Sequence, residues 1–102
     1  MRPNTKTNQQ ASVTRFALGQ TFITPGAEDA LMIAGQTGIE FLRRHMSGDW
    51  SELTDDDAQE NELSLREGFR VLSAYRTAKG QKLWIITEAD RSSTTILLPS
   101  EY

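Results

Sequence analysis

The spacing of apolar side chains changes near Phe69 and divides the chain into a helical part and a strand-rich part. Between residues 24 and 67, apolar positions recur three and four residues apart, which is the period of helices that bury one face. From residue 69 onward they alternate or form continuous runs, as they do in strands. An earlier alternating run at residues 16–22, bent at Gly19, predicts one more strand.

Three helices are predicted from residues that cap helix ends. Thr accepts hydrogen bonds from the first amides of a helix, and Pro at the first position has no amide to leave unpaired. Gly readily adopts the left-handed conformation that ends a helix. Glu40, three residues after Thr37, also completes a capping box. The predicted helices run from Thr24–Pro25 to Gly35, from Thr37 to Gly48 and from Thr54 to Gly68.

The second and third helices differ in their apolar faces. The second has a full stripe, and its predicted inner face consists of Ile39, Leu42 and Met46, with Phe41 and His45 beside them. On the third helix, Asn61 falls where an apolar residue belongs. Because a buried amide needs hydrogen-bond partners, we expect Asn61 to pin this helix to the sheet or to the loop at Gly48–Trp50.

The C-terminal third of the chain supplies the sheet. Residues 69–77 alternate, residues 82–88 and 94–99 are apolar on both faces, and Gly80 suits a hairpin turn. A strand with two apolar faces lies inside a sheet, so Leu83–Thr87 is the predicted central strand. The predicted fold class is α+β. It has a small antiparallel sheet, a three-stranded C-terminal meander plus an N-terminal strand, with about three helices packed on one face.

A single domain is predicted over residues 15–102, a length sufficient for one core. Residues 1–14 hold too few apolar side chains to offset the entropy of ordering them, so they are predicted to form a flexible tail. The last strand of the meander is expected at an edge of the sheet. A second copy of the chain can pair with such an edge and form a homodimer.

Composition and charge narrow the range of functions. The chain of 102 residues has no cysteine, which excludes disulfides and thiolate metal sites, and its net charge is −3. Residues 1–50 carry five basic and four acidic side chains, whereas residues 51–102 carry six and ten. A mildly acidic surface gains nothing from counterion release, which argues against nucleic acid as a partner. Neither a membrane span nor a signal peptide is visible, so the predicted location is the cytoplasm, without membrane binding.

The turn between the last two strands is the first candidate site, because it contains Glu88, Asp90 and Arg91. In a turn, Asp accepts hydrogen bonds from backbone amides, and Arg pairs with a nearby carboxylate at the surface. This structural role is the favoured interpretation. The alternatives are a binding surface, a general acid and base, or a divalent-metal site, which would need further oxygen ligands. No catalytic residue, metal or cofactor is assigned.

The acidic segment that leads into the third helix is the second candidate. Eight acidic residues lie within residues 49–67, and the candidate binding residues there are Asp49, Trp50, Asp55, Asp56 and Asp57. Carboxylates in the first turn of a helix are stabilised by its dipole, so capping explains three of them without a ligand. The alternative is an acidic strip that docks on a basic groove of a partner. Trp50 is then either a lid on the core or an exposed contact.

His45 is the only histidine of the chain. No Gly-x-Ser-x-Gly segment accompanies it, so the sequence does not indicate a nucleophilic triad. At the end of the second helix, the helix dipole favours an imidazolium, which explains this residue without catalysis. An enzyme would require His45 to converge in one pocket with the charged residues of the turn.

Five segments together resemble a known family: FITPGA (22–27), AGQ (34–36), GDW (48–50), LSAYRT (72–77) and WIITEADRSSTTILLP (84–99). The chain resembles small bacterial proteins of plasmids, phages and other mobile elements. These are often labelled "plasmid-related protein" or "type I restriction endonuclease subunit M". A methylation subunit needs a glycine-rich cofactor loop and an Asn/Asp-Pro-Pro-aromatic motif, and this chain has neither. The resemblance therefore implies a mobile-element context without catalytic residues.

The leading hypothesis from the sequence is a non-enzymatic accessory protein of a mobile element that binds a protein partner. Its contact surface would be the acidic third helix or the turn at residues 88–94. One form of this hypothesis is an anti-restriction or anti-defence inhibitor whose acidic strip mimics DNA phosphates. The alternatives are a small enzyme centred on the turn and His45, and a DNA-binding regulator that uses basic side chains of the sheet.

Overall fold

A computed structural model describes residues 14–102, so residues 1–13 of the predicted tail lie outside the described range. The described chain forms four strands and three helices. The strands are β1 (Gln20–Ile23), β2 (Val71–Arg76), β3 (Lys82–Thr87) and β4 (Ser93–Leu97). The helices are α1 (Pro25–Ala34), α2 (Gly38–Met46) and α3 (Asp55–Glu67), and a 3₁₀ turn at Pro99–Glu101 follows β4. This α+β architecture is the predicted fold class.

Helices α1 and α3 begin and end where their caps predict. The Thr24 and Thr54 hydroxyls each accept a hydrogen bond from the amide three residues on, at 3.3 and 3.1 Å. Gly35 and Gly68 follow the last helical residues with left-handed φ angles of 68° and 79°. The cap residues in the sequence therefore mark the ends of both helices.

The start of α2 differs from its prediction. Thr37 precedes the helix in an extended conformation, but its side chain makes no capping hydrogen bond. Glu40, the expected partner in the capping box, accepts a hydrogen bond from the Gln36 side chain at 2.8 Å instead. The helix ends at Met46, and Gly48 follows two residues later with a φ of 82°.

The sheet has the strand order β1-β4-β3-β2. Strands β2, β3 and β4 form the predicted antiparallel meander, and β3 is an inner strand as expected. Strand β1 pairs with β4 in parallel, from Gln20 beside Ser93 to Ile23 beside Ile96, so the sheet is mixed and not wholly antiparallel. The prediction that the last strand lies at an edge is wrong, because β1 covers its free side. The edges of the sheet are β1 and β2.

Gly19 sets the path of the chain into β1. Its φ is 66°, and a Cβ atom at this position would lie 2.3 Å from the Ser92 carbonyl oxygen. Only glycine combines a left-handed conformation with so close a backbone approach. The chain therefore turns tightly against the start of β4, and the Gln20 amide donates to the Ser92 carbonyl at 3.0 Å. This contact begins the parallel pairing.

The three helices pack on one face of the sheet, as predicted. The main core cluster joins α1 and α2 to β2, β3 and β4, and consists of Ala27, Ala30, Leu31, Phe41, Tyr75, Leu83, Ile85 and Ile96. A second cluster combines Phe16, Trp50 and Val71 with half-buried apolar residues of α3. On the opposite face, Ile86 and Leu97 are each 5% exposed. Both faces of the inner strands are therefore apolar and shielded.

Helix α2 is rotated relative to its predicted orientation. Phe41 and His45 form its buried stripe, at 1% and 0% exposure. Ile39, predicted on the inner face, is 58% exposed, and Leu42 and Met46 are half-buried. The aromatic ring and the imidazole, four residues apart, thus take the place against the sheet that the aliphatic stripe was expected to fill.

Candidate functional site

The turn between β3 and β4 is held in place by the Arg91 side chain. Arg91 has a φ of 61°, which is uncommon for a residue with a side chain. Its guanidinium donates hydrogen bonds at 2.7–3.2 Å to the carbonyl groups of Ser64, Phe69, Glu88 and Ala89. Arg91 therefore ties the turn to the end of α3, and backbone carbonyls occupy its donors.

The two carboxylates of this turn bind separate partners. Asp90 accepts the Ser92 amide at 3.0 Å, and hydrogen bonds from the Ser92 side chain and backbone hold the pKa of Asp90 below its usual value. Glu88 lies 3.4 Å from the Arg70 guanidinium. These contacts support the structural interpretation of the turn. The turn residues form no hydrogen bond with His45, whose partners in the described chain are hydroxyl groups.

Asp49 and Trp50 organise the loop between α2 and α3. The Asp49 carboxylate accepts hydrogen bonds from Arg44 at 2.7 Å and from the Ser51 hydroxyl at 2.8 Å. Burial raises the pKa of Asp49, but these hydrogen bonds outweigh burial and hold the pKa below its usual value. Tyr75 donates to the Asp49 carbonyl at 2.6 Å. Trp50 is 7% exposed, so it is a lid on the core and not an exposed contact.

The first turn of α3 presents the remaining acidic candidates, Asp55, Asp56 and Asp57, all exposed. A shallow depression of about 550 Å³ lies on this helix, lined by Asp56, Gln59, Glu60, Glu62, Leu63 and Arg66. Arginines interrupt the acidic strip at two places. Arg15 donates to both oxygens of Glu62 at 2.9 Å, and Arg44 lies 3.6 Å from Glu52. The negative surface is therefore shorter than the count of acidic residues suggests.

A chain of buried hydrogen bonds leads from His45 to the start of β1. The Nδ1 atom of His45 lies 2.6 Å from the Ser73 hydroxyl, and Nε2 lies 2.8 Å from the Thr87 hydroxyl. Thr87 is 2.7 Å from Thr94, whose hydroxyl donates to the Leu18 carbonyl at 2.7 Å. The Leu18 carbonyl can only accept, so the Thr94 hydroxyl donates its proton to it. The Thr87 hydroxyl must then donate to Thr94, and its oxygen accepts from Nε2 of His45. The proton of His45 therefore lies on Nε2, and Nδ1 accepts from Ser73.

Burial keeps His45 neutral. Desolvation, and secondarily the charge of Arg91, lower the pKa of His45 to about 3. The prediction that the helix dipole favours an imidazolium here is therefore wrong. The penalty for burying a charge exceeds the ~0.3–1 kcal/mol that a helix dipole supplies at an exposed site. The Ser73–His45 pair has the residue types of a nucleophile and its base, but both side chains are 0% exposed, so solvent does not reach either of them.

A third surface, absent from the predicted candidates, lies along β1 and α2. We call it the β1–α2 groove. It consists of two adjoining depressions of about 250 and 280 Å³, with Arg43 as their one charged residue. Ile23 and Ile39 are 39% and 58% exposed beside it, whereas the Phe22 side chain, next to Thr95, lies on the opposite face of the sheet. The principal lining residues are Thr21, Phe22, Ile23, Ile39, Leu42 and Met46.

The sequence contained a signal for this groove that its interpretation passed over. Helix α2 has one stripe of Ile39, Leu42 and Met46 and another of Phe41 and His45. A helix on a sheet buries only one such stripe, so the second had to remain at the surface or meet a partner. The prediction places the aliphatic stripe in the core, and it does not recognise that one of the two stripes must remain at the surface.

No group of three or more His, Asp or Glu side chains within residues 14–102 could hold a metal ion. Over the same residues, no helix has the length and apolar character required to cross a membrane. Comparisons of the chain with protein-family models, curated proteins and solved structures gave no match. Function must therefore be inferred from the surfaces described above.

Proposed function

We propose that this chain is a non-enzymatic interaction protein of a mobile genetic element, and that it binds a protein partner through the β1–α2 groove. The observation that supports this proposal most strongly is the exposed apolar content of the groove, led by Ile23 and Ile39. Contiguous exposed apolar surface on a small domain is typical of interaction sites. The mobile-element context comes from the family resemblance alone.

The groove suits a partner that adds a strand to the sheet. In this mode of recognition, backbone hydrogen bonds along an open edge supply affinity, and side pockets select alternate side chains. Strand β1 is such an edge, and the two depressions lie beside it. Binding of this kind requires no metal, cofactor or nucleophile.

The enzyme alternative receives less support from the same geometry. His45 is buried with a pKa of about 3, and the Arg91 donors are bound to backbone carbonyls. A general acid or base must reach the substrate proton within hydrogen-bond distance. Neither side chain offers that access. The regulator alternative must also overcome a net charge of −3.

The acidic surface of α3 is the second candidate for partner binding, including an anti-defence inhibitor that mimics DNA phosphates. The exposure of Asp55, Asp56 and Asp57 favours it. The pairing of Glu62 with Arg15 counts against a long mimic strip, because the hydrogen bond from Arg15 satisfies that carboxylate and lowers its pKa.

Site-specific photocrosslinking in the native host separates the two surfaces. A photoreactive benzoylphenylalanine replaces Ile39 in the groove or, as the matched control, Gln59 on the exposed acidic side of α3. The proposal predicts that the Ile39 position crosslinks to a protein, either a different chain or a second copy, and that the Gln59 position does not. Crosslinks from Gln59 alone would favour the acidic surface, and crosslinks from neither position would contradict both.

A further inference from the structure

We infer that the β1–α2 groove is occupied by a second copy of this chain, through antiparallel pairing of the two β1 strands across a two-fold axis. The inference rests on the proposed function, because it names the partner of the same surface. Pairing of this kind joins the two four-stranded sheets into one sheet of eight strands.

The backbone of β1 has one unpaired side. β1 ends the sheet formed by residues 14–102, and all four of its residues are exposed. The Gln20 amide donates to the Ser92 carbonyl on β4. Because successive residues of a strand direct their backbone groups to opposite sides, Gln20 and Phe22 face β4. Thr21 and Ile23 therefore direct their N–H and C=O groups outward.

The outward residues make β1 complementary to itself. Thr21 and Ile23 lie symmetrically about Phe22, so an antiparallel pair with Phe22 on the axis places Thr21 of each copy opposite Ile23 of the other. Each such pair exchanges two hydrogen bonds. The two Phe22 residues then face each other with Cβ atoms roughly 4.5–5.5 Å apart, an arrangement in which aromatic pairs stabilise antiparallel strands.

The charge distribution favours this contact. Strand β1 (QTFI) has no charged residue, whereas exposed edges are commonly protected by lysine, proline or a bulge. Helix α3, with its acidic first turn, packs against β2 at the opposite edge of the sheet. In the dimer, the two acidic helices would therefore lie at its two ends. This orientation keeps the two acidic helices far apart, which limits the repulsion between two copies that each carry a net charge of −3.

The exposed area is sufficient for a reversible dimer. Phe22, Ile23 and Ile39 are 52%, 39% and 58% exposed, and Leu42 and Met46 are half-buried beside them. Together with the strand edge, these side chains form a patch smaller than the ~800 Å² per partner of a standard interface, in the range of weak and transient interfaces. We therefore expect a dimer whose population depends on concentration.

Cysteine crosslinking tests the register, since the chain has no cysteine of its own. Phe22→Cys places two thiols at the axis with Cα atoms roughly 4.5 Å apart, within the range of a disulfide. Met32→Cys is the matched control, because Met32 is apolar, 72% exposed and outside the groove. The inference predicts that F22C forms disulfide-linked dimers at least about tenfold faster than M32C, because pairing raises the local thiol concentration. Equal rates would overturn it.

Sedimentation velocity of the unaltered chain supplies a second readout. The dimer fraction is expected to rise with concentration and to fall in Thr21→Pro, which removes an outward amide without touching the bonds to β4. A chain that stays monomeric would overturn self-pairing. If a crosslink from Ile39 to a different protein appears with a monomeric chain, the proposed function stands and this inference fails. If dimers form and Ile39 crosslinks to a second copy, both stand; if the chain is monomeric and Ile39 forms no crosslink, both fail.

Discussion

The two edge strands of the sheet, β2 and β1, differ in whether their outward backbone groups have hydrogen-bond partners. At the β2 edge, the Asn61 side chain donates to the Leu72 carbonyl at 2.7 Å and accepts its amide at 3.2 Å. A side-chain amide thus takes the place of a neighbouring strand. At the β1 edge, no described residue covers the outward backbone of Thr21 and Ile23. The β2 edge is therefore capped at Leu72, whereas the outward groups of β1 have no partner among the described residues.

This difference explains why a polar residue interrupts the apolar stripe of α3. A leucine in place of Asn61 would fill the same space but leave both backbone groups of Leu72 without partners. An open edge is a liability for aggregation, and most proteins protect it. An edge that has no charged residue and no cover among the described residues is therefore a candidate for pairing with another chain.

Of the changes at the two edges, loss of the Asn61 side chain at β2 is expected to produce the largest effect. Asn61→Ala leaves the amide and the carbonyl of Leu72 unpaired in a half-buried place. The free energy of unfolding should fall by about 2–3 kcal/mol, as measured by urea denaturation. Gln59→Ala, on the exposed side of the same helix, is the control and should change it by less than about 0.5 kcal/mol. Similar losses in both variants would mean that Asn61 does not close this edge.

The pH dependence of the free energy of unfolding tests the series of buried hydrogen bonds that runs from His45 on α2 to the Leu18 carbonyl, just before β1. The unfolded chain binds a proton on His45 near its ordinary pKa of 6.5, whereas the folded protein does so only near a pKa of about 3. Between these values the unfolded state binds more protons, so stability falls as the pH falls. From pH 7 to pH 5, the free energy of unfolding should decrease by about 2 kcal/mol.

The matched variant for this pH effect is His45→Gln, which retains hydrogen-bonding groups but does not titrate. Denaturant titrations at several pH values should show that its stability is nearly constant between pH 7 and pH 5. The pKa values of Asp49 and Glu62 are lowered from already acidic values, so these carboxylates contribute mainly below this window. An equal pH dependence in the variant and the parent would contradict the assignment to His45.

The smallest effect on stability is expected at the open edge. Ile39→Ser should change the free energy of unfolding by less than about 0.5 kcal/mol, since this side chain is 58% exposed. Leu31→Ser, at 4% exposure in the core, should cost about 3 kcal/mol or more in the same thermal or urea experiment. A large loss from Ile39→Ser would show that the aliphatic stripe of α2 serves the core.

Local signals in the sequence predicted much of the fold. The caps gave the ends of α1 and α3, the alternation gave the meander, and the misplaced amide of Asn61 indicated its contact with the sheet. Each of these depends on residues near one another in sequence or on one strong rule of burial. The structural role of the turn at residues 88–94 was likewise indicated by its residue types.

The features that escaped prediction depend on distant pairings. Nothing in the four neutral residues of β1 specifies a parallel partner, and the turn that permits it involves Gly19 and Ser92, far apart in the chain. The buried partners of His45 lie 28 and 42 residues away at Ser73 and Thr87, so spacing could not reveal them. The groove escapes prediction because α2 has two stripes that could face the core. The sequence does not show which of them the rotation of the helix turns toward the sheet.

Residue-resolved amide hydrogen exchange tests the contrast between the two edges most directly. In dilute protein, the Thr21 and Ile23 amides should exchange rapidly and the Leu72 amide slowly, because within residues 14–102 only the Leu72 amide has a partner. On concentration, Thr21 and Ile23 should become protected while Leu72 stays unchanged. Equal protection of all three amides in dilute protein, or no dependence on concentration at β1, would contradict an open edge that a second copy closes.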